Sequence, residues 1–260
     1  MWSVADPGAL GPAQLAGKVS LVIPVYNESA NMARVIPVAC DTLAKVSEAF
    51  EIVLVDDGST DDTVAAAQAE MGDRVGHLRV VTHARKSGYG ITVADGLRAA
   101  TGDWVAFVDG DGQFDPRDLR RLAELSEGAD LIAGWRIHRA DPWHRSVVSG
   151  TFNLLVRLLY GISYRDVDCG FKLIRRELLQ VASPILARSA LLNTELYFKA
   201  KRSGLVIRQV GIQHHPRVAG VRSGGRLIPI LRAVRELVRL RLALARTWHP
   251  PNVGTDGAVS

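Results

Sequence analysis

Only two cysteines, Cys40 and Cys169, occur in 260 residues. That excludes a disulfide-stapled secreted scaffold and points to a reducing compartment, with the cytoplasm as the expected location. No apolar run approaches the roughly 20 residues that a spanning helix needs, so integral membrane insertion is not expected. Residues 1–17 contain Pro7, Gly8, Gly11, Pro12 and Gly17 but neither a basic n-region nor an apolar h-region. They read as a flexible leader, not a signal peptide. No internal repeat is present. The charge excess is also small: 32 Lys and Arg against 27 Asp and Glu leave +5. This balance mildly favours anionic partners such as nucleotides, phosphates or a membrane surface; no nucleic-acid partner is expected. What is present is ordinary globular material, 47% hydrophobic and 23% charged, which excludes a wholly disordered chain. The length suits one domain with short appendages.

Val19 to Val25 is an apolar run of the kind buried on both faces of a parallel sheet. Further strands are expected at Glu51 to Val55, His77 to Thr82, Trp104 to Val108 and Ala129 to Ala133. Helices are expected between them, at Asn31 to Phe50, from about Ser59 to Met71, Ile91 to Ala100 and Pro116 to Ser126. Ser59 or Thr60 is the expected cap of the second helix. Strands alternating with helices over the first 135 residues indicate an α/β fold with a mostly parallel sheet flanked by helices. Beyond residue 135 the alternation weakens, with one short strand expected at Leu205 to Val210. The expected division is a leader over 1–17, the α/β domain over 18–225, a basic amphipathic helix over 226–248 and a disordered tail over 249–260.

Ligands of open α/β sheets bind beyond the carboxyl ends of the strands. Three of those ends are chemically loaded: Pro24-Val25-Tyr26-Asn27-Glu28, Asp56-Asp57-Gly58-Ser59 and Asp109-Gly110-Asp111-Gly112-Gln113. One pocket can collect all three. Asp109, Asp111 and Gln113 place oxygen-bearing side chains at alternate positions after a buried strand, the type of donor that hard divalent cations take.

Together, Val-Ile-Pro-Val-Tyr-Asn-Glu (22 to 28), Val-Asp-Asp-Gly-Ser-Thr-Asp (55 to 61) and Asp-Gly-Asp-Gly-Gln (109 to 113) resemble glycosyltransferase family 2 with the GT-A (Rossmann-like) fold. The D-x-D-x-Q spacing resembles its polyprenyl-phosphate (dolichyl-phosphate) sugar synthase branch. The resemblance covers roughly residues 18 to 247 and implies an inverting enzyme that uses a nucleotide-diphosphate sugar. By position it assigns Pro24, Val25, Tyr26, Glu28, Asp56, Asp57 and Asp109 to nucleotide-sugar binding, and Asp109, Asp111 and Gln113 to Mg²⁺ or Mn²⁺. It places Arg136, Arg145 and Ser149 on the acceptor side, where arginines clamp an anionic phosphate. Arg217 falls in a loop expected to close over the diphosphate. Arg85 and Lys86 offer further charge to a phosphate. Asp166 to Lys172 is similar to the branch's D-x-x-S-G-F-R element, with Cys169 as a packed small residue.

The expected activity is transfer of a hexosyl unit to polyprenyl phosphate on the cytoplasmic face of the cell membrane. Asp109, Asp111, Arg136, Arg145 and Arg217 would carry the chemistry. GDP-mannose, UDP-glucose and UDP-N-acetylhexosamine donors all fit, and no pattern fixes an oligomeric state. One alternative is transfer to a hydroxyl acceptor, with Asp168 or Glu195 as base. The other is a catalytically silent nucleotide-binding subunit. Arg226 to Trp248 reads as a helix with Arg232, Arg235, Arg239 and Arg246 in one stripe. Leu227, Ile230, Leu231, Val234, Leu237, Val238, Leu242 and Leu244 cover its other side, so it is expected to lie on an anionic membrane surface.

Overall fold

A computed structural model describes residues 14–137, 143–217 and 230–250, without the side chains of 143–149 and 230–233. The apolar run that opens the domain forms β1 (Lys18–Val25), followed by α1 (Ser29–Val46), β2 (Ala49–Asp56), α2 (Thr63–Met71), β3 (Leu78–Thr82), α3 (Tyr89–Ala99) and β4 (Trp104–Val108). The second half contributes α4 (Leu119–Ala123), β5 (Leu131–Arg136), α5 (Trp143–Tyr160), β6 (Phe171–Arg175), α6 (Arg176–Ala182), α7 (Leu192–Arg202), β7 (Ile207–Ile212) and α8 (Ile230–Thr247). The described strands form one sheet in the order β3-β2-β1-β4-β6-β5-β7. Every pairing is parallel except those of β6, which runs antiparallel to both β4 and β5.

The period-two alternation of each central strand feeds two cores. Leu21 and Ile23 of β1 and Ala106 and Val108 of β4 pack under α1, α2 and α4. Val22, Val105 and Phe107 face the opposite layer, which holds α3 and α5 to α8. Sheets covered on both faces read as continuous apolar runs, which is why these strands were visible in the sequence. Ordered packing begins before β1: Leu15 is buried in the first core and its N–H donates to the Val46 carbonyl at 2.7 Å.

Several boundaries differ from expectation. Helix α1 stops at Val46 because Ser47 is extended, and its hydroxyl donates to the Gly17 carbonyl at 2.8 Å. The stretch after it is therefore free to form β2. Ser59 and Thr60 do not cap α2, which starts only at Thr63. The Ser59 hydroxyl accepts from the Asn27 N–H at 2.9 Å, and the Thr60 N–H donates to the Asn27 side-chain oxygen at 2.8 Å. Pairing with the loop after β1 outcompetes capping. Pro116 opens a single 3₁₀ turn (Pro116–Asp118) that leads into the short α4, in place of one long helix. Strand β6 was not expected at all.

Helix α8 divides differently from its sequence pattern. Leu237, Leu240, Leu244 and Trp248 are buried in the second core, whereas Val238 and Leu242 are exposed alongside Arg235, Arg239 and Arg246. Docking is polar as well as apolar. The Tyr160 hydroxyl donates to the Leu237 carbonyl at 2.6 Å, Arg241 to the Leu159 carbonyl at 3.2 Å and the Trp248 indole to the Val181 carbonyl at 3.0 Å. Residues 226–229 of the expected helix, the loop 218–225, the leader to residue 13 and the tail from 251 lie outside the described residues. No described helix is long and apolar enough to cross a membrane.

The end of the sheet remote from the loaded loops is pinned by Glu51. Its carboxylate accepts from the Ser20 hydroxyl at 2.6 Å and from the Thr101 N–H at 2.7 Å, with Lys18 at 3.3 Å. Burial alone would raise its pKa, but these donors win and lower it from 4.5 to about 2. A depressed folded-state pKa gives stability that is present above the unfolded value and lost as pH falls through the folded one. Glu51→Gln should therefore be less stable than the wild type at neutral pH, with the gap closing between about pH 4.5 and 2 in urea melts. A gap constant across that range would contradict the assignment.

Candidate functional site

The parallel ladder extends past the strands and draws the loaded loops together. The Pro24 carbonyl accepts from the Gly110 N–H at 3.3 Å and the Val25 carbonyl from the Asp57 N–H at 2.9 Å. Pro24 and Val25 thus act through their backbone, joining the other two loops to the end of β1. Asp56 is buried and accepts from the Ser59 N–H at 3.0 Å, closing a turn on its own loop.

Asp57 organises the segment after β3. One carboxylate oxygen accepts from the Ser87 N–H at 2.7 Å and lies 2.9 Å from His83 Nδ1, while the other accepts from the Gly88 N–H at 2.9 Å. Burial would raise its pKa, but these donors hold it below the ordinary carboxylate range. His83 is shared, its Nε2 lying 3.1 Å from Asp95 on α3. This Asp57–His83–Asp95 chain was not singled out in the sequence; its signal was a histidine immediately past the carboxyl end of β3. The segment that it fixes puts the Lys86 ammonium 3.6 Å from the centre of the Tyr26 ring. In this structure Lys86 is therefore held at an aromatic face.

At the end of β4 the Asp109 carboxylate is enclosed. Its Oδ1 is buried and has no hydrogen-bond partner among the described residues. Burial, then the neighbouring charge of Asp111, push its pKa up to about 7 against a hydrogen bond from the Tyr89 hydroxyl. Gly170 forms the facing wall: a Cβ there would lie 2.2 Å from Asp109 Oδ2 and 2.8 Å from Oδ1. Only glycine admits the carboxylate at that approach. Asp111 Oδ2 lies 3.4 Å from Arg217 Nη1, and the other arm of the same guanidinium pairs with Glu28. Glu28, Asp111 and Arg217, which are far apart in sequence, thus meet. Burial raises the Glu28 pKa although Arg217 and Asn31 oppose it. Gln113 sits beside them, its side-chain amide donating to the His215 carbonyl at 3.2 Å and its own carbonyl accepting from the His215 N–H at 2.8 Å.

Arg136, at the end of β5, is held by Asp166 through Nε to Oδ2 at 2.7 Å and Nη2 to Oδ1 at 2.6 Å. Burial works against its charge, but Asp166 outweighs burial. Asp166 itself adopts φ 43°, and its carbonyl accepts from the Cys169 N–H at 2.9 Å. Behind it the Lys172 ammonium is wholly buried, donating to the Cys169 and Val167 carbonyls and to Asn193 at 2.7 Å. Burial lowers its pKa to about 8, opposed by the surrounding acids and Cys169. Cys169 is fully buried with its thiol pushed up to about 12 by burial, which agrees with a packing role. Arg145 and Ser149 fall on α5, with side chains outside the described residues. Glu195 is also fully buried: its carboxylate takes the Leu186 and Ala187 N–H groups and pairs with Lys199 at 2.6 Å. That corrects its candidacy as an acceptor-side base, because no acceptor can reach it.

The residues present fit a divalent metal. An enclosed carboxylate oxygen without a partner, a second carboxylate two residues on and a side-chain amide nearby form an oxygen donor set of the hard-cation type. The charge of a cation there would also favour the ionised form of Asp109. Among the described residues no group of three or more His, Cys, Asp or Glu side chains stands in metal-holding geometry, so the amide of Gln113 would complete the set.

Comparison with known proteins agrees with this architecture. The family described as glycosyl transferase family 2 matches residues 20–182. A dodecaprenyl-phosphate galacturonate synthase of Rhizobium johnstonii is 30% identical over 215 residues, covering 80% of this chain and 62% of that protein. An undecaprenyl-phosphate 4-deoxy-4-formamido-L-arabinose transferase of Pectobacterium atrosepticum is 33% identical over 162 residues, covering 62% of this chain and 50% of the relative. The chain thus spans between half and two thirds of the length of these relatives. Among solved structures, glucosyl-3-phosphoglycerate synthase of Mycobacterium tuberculosis with Mn²⁺, UDP-glucose and phosphoglyceric acid superposes with a TM-score of 0.68 at 23% identity, over 96% of this chain and 89% of that one. The same enzyme with Mn²⁺, UDP and glucosyl-3-phosphoglycerate gives 0.64 at 25% identity, over 98% and 89%. The fold is therefore GT-A.

Gly170→Ala tests the enclosure of Asp109. The added methyl must displace the carboxylate, so Mn²⁺ binding, read by calorimetry, should weaken at least about tenfold, the equivalent of roughly 1.4 kcal/mol. Unchanged binding would show that Gly170 does not set the position of Asp109.

Proposed function

The chain belongs to glycosyltransferase family 2, and from that premise we propose that it transfers a hexosyl unit from a nucleotide-diphosphate sugar to polyprenyl phosphate at the inner face of the cell membrane. The observation that carries the reading is the Asp109–Asp111 pair at the end of β4, with its enclosed, unpartnered oxygen, in a chain 30% identical to a lipid-phosphate sugar synthase. Asp109, Asp111 and Gln113 are the residues to hold Mg²⁺ or Mn²⁺. When bound, the metal supplies Lewis-acid neutralisation of the departing diphosphate.

The remaining work falls to the chain's own residues. Tyr26, Glu28 and the Asp57-fixed segment 83–88 line the donor side, where Lys86, seated on the Tyr26 ring, brings positive charge to a nucleotide. Arg217, already between Glu28 and Asp111, brings positive charge to the place where a diphosphate develops negative charge. The acceptor phosphate is anionic at neutral pH and attacks the anomeric carbon with inversion, so the protein needs no strong base. Arg136 lends charge from its seat on Asp166, and Arg145 with Ser149 completes the acceptor side. Positioning supplies the rest of the acceleration.

The outer faces of α5 and α8 support a peripheral membrane attachment. Leu158 and Leu242 are 72% and 52% exposed, beside exposed Arg157, Arg235, Arg239 and Arg246. Apolar side chains among cations suit an anionic bilayer surface, where each arginine contributes about 1 kcal/mol. Replacing Arg235, Arg239 and Arg246 with Gln should release the protein from anionic liposomes at physiological salt without lowering its melting temperature. Retained sedimentation would overturn the attachment.

The activity is tested by offering a panel of UDP- and GDP-sugars with undecaprenyl phosphate and following label into the lipid phase. Metal-dependent lipid labelling is expected, and Asp111→Ala should reduce it about a hundredfold, or roughly 3 kcal/mol of lost charge stabilisation. Label transferred only to hydroxyl acceptors would favour the alternative class. Metal-independent binding without transfer would indicate a silent subunit.

A further inference from the structure

The arginine at the end of β5 has spent much of its hydrogen-bonding capacity inside the protein. Arg136 gives its backbone N–H, Nε and Nη2 to the Asp166 carboxylate at 3.1, 2.7 and 2.6 Å. The residues immediately before this pair also meet: the Arg165 guanidinium lies 5.0 Å from the centre of the Trp135 ring. Arg165 is exposed, and among the described residues no carboxylate stands within ion-pair distance of it. A guanidinium seated on an aromatic face keeps the N–H groups of its edge for an anion.

Both members of this second pair are held in place. Trp135 is opposite Gly211 in the β5–β7 ladder, and a Cβ on Gly211 would lie 3.0 Å from Trp135 Cζ2, so the missing side chain makes room for the indole. The Gln209 side chain, two residues earlier on β7, clamps the Arg165 backbone from both sides. Its oxygen accepts from the Arg165 N–H at 2.9 Å and its amide donates to the Arg165 carbonyl at 2.6 Å. The same amide donates to the Tyr197 hydroxyl at 3.0 Å, and the Tyr164 ring lies 5.1 Å from that of Tyr197.

The ladder fixes where this pair stands. Lys172 of β6 is opposite both Phe107 of β4 and Ala133 of β5, and both of those face the second core. Two residues on, Asp109 and Trp135 therefore stand level at the carboxyl edge of the sheet, two strand spacings or roughly 10 Å apart. In the strand order, β1 and β2, with Tyr26 and Asp57 at their ends, lie on the other side of β4. Arg165 is thus across the acidic loop from the nucleotide side.

We infer that Arg165, seated on Trp135, takes the phosphate of the second substrate, while Arg136 is chiefly held by Asp166. The inference rests on the proposed lipid-phosphate acceptor and adds the residue whose unspent donors receive its charge.

Geranyl phosphate, a short isoprenyl phosphate, tests this without vesicles. With UDP and Mn²⁺ present, calorimetry should show Arg165→Gln binding geranyl phosphate at least about tenfold more weakly than the wild type, the loss expected for a charge-assisted contact. UDP affinity and the melting temperature should be unchanged, because the side chain is exposed and lies across β4 from the nucleotide side. Should that variant fail to fold, the indole reads the same contact: geranyl phosphate should change the tryptophan emission of the wild type, and Trp135→Phe should lack that change. Geranyl phosphate affinity unchanged in Arg165→Gln, UDP affinity falling by as much, or an emission change that survives in Trp135→Phe overturns the role of Arg165 alone. Failure of the wild type to bind geranyl phosphate overturns the proposed acceptor along with it.

Discussion

The reversal of one strand organises the whole site. β6 pairs antiparallel with β4, with Phe171 opposite Val108, so β6 begins where β4 ends. The chain that precedes it, Asp166 to Gly170, is thereby delivered to the carboxyl edge of the sheet, next to Asp109. A parallel strand in that place would have brought the opposite end of its connection to this edge. From this one constraint follow the glycine wall over the carboxylate, the Asp166 clamp on Arg136 and the buried Lys172 beneath them.

The electrostatics of the region are consistent with a pocket built for an incoming cation and anion. Acidic groups concentrate on the Asp109–Asp111 loop, where burial and mutual repulsion destabilise the charged form of Asp109. Around them stand Arg136, Lys172 and Arg217, each held by a specific partner. Deeper in the domain, Glu195 and Lys199 form a wholly buried pair that fixes the segment 182–187. Removing one member of such a pair typically costs about 3–5 kcal/mol, because the other is left uncompensated. The pair is scaffold: it holds the backbone of the segment that precedes α7.

Much of this was legible in the sequence, for identifiable reasons. The strands buried on both faces announced themselves as apolar runs, and the three polar clusters fell at their ends. β6 escaped because Lys172 interrupts Phe-Lys-Leu-Ile, and nothing local says that a lysine can be buried by two carbonyls and an asparagine 21 residues on. Ser59 and Thr60 look like helix caps by composition, and only the fold supplies Asn27 as their competing partner. The face of α8 was misjudged for a related reason. Its leucines occupy a wide arc, and the docking of Leu237, Leu240 and Leu244 on the domain decides which part is covered. The pairing of Arg217 with Glu28 spans 189 positions and leaves no local trace.

The central claim is that the ends of β1, β2 and β4 form a single metal-dependent nucleotide site. Anomalous diffraction at the manganese edge, from crystals grown with Mn²⁺ and UDP, addresses it most directly. The account predicts one strong peak between Asp109 and Asp111, with the diphosphate beside Arg217 and the nucleoside against Tyr26. A manganese peak elsewhere, or UDP bound with no metal at these two carboxylates, would contradict it.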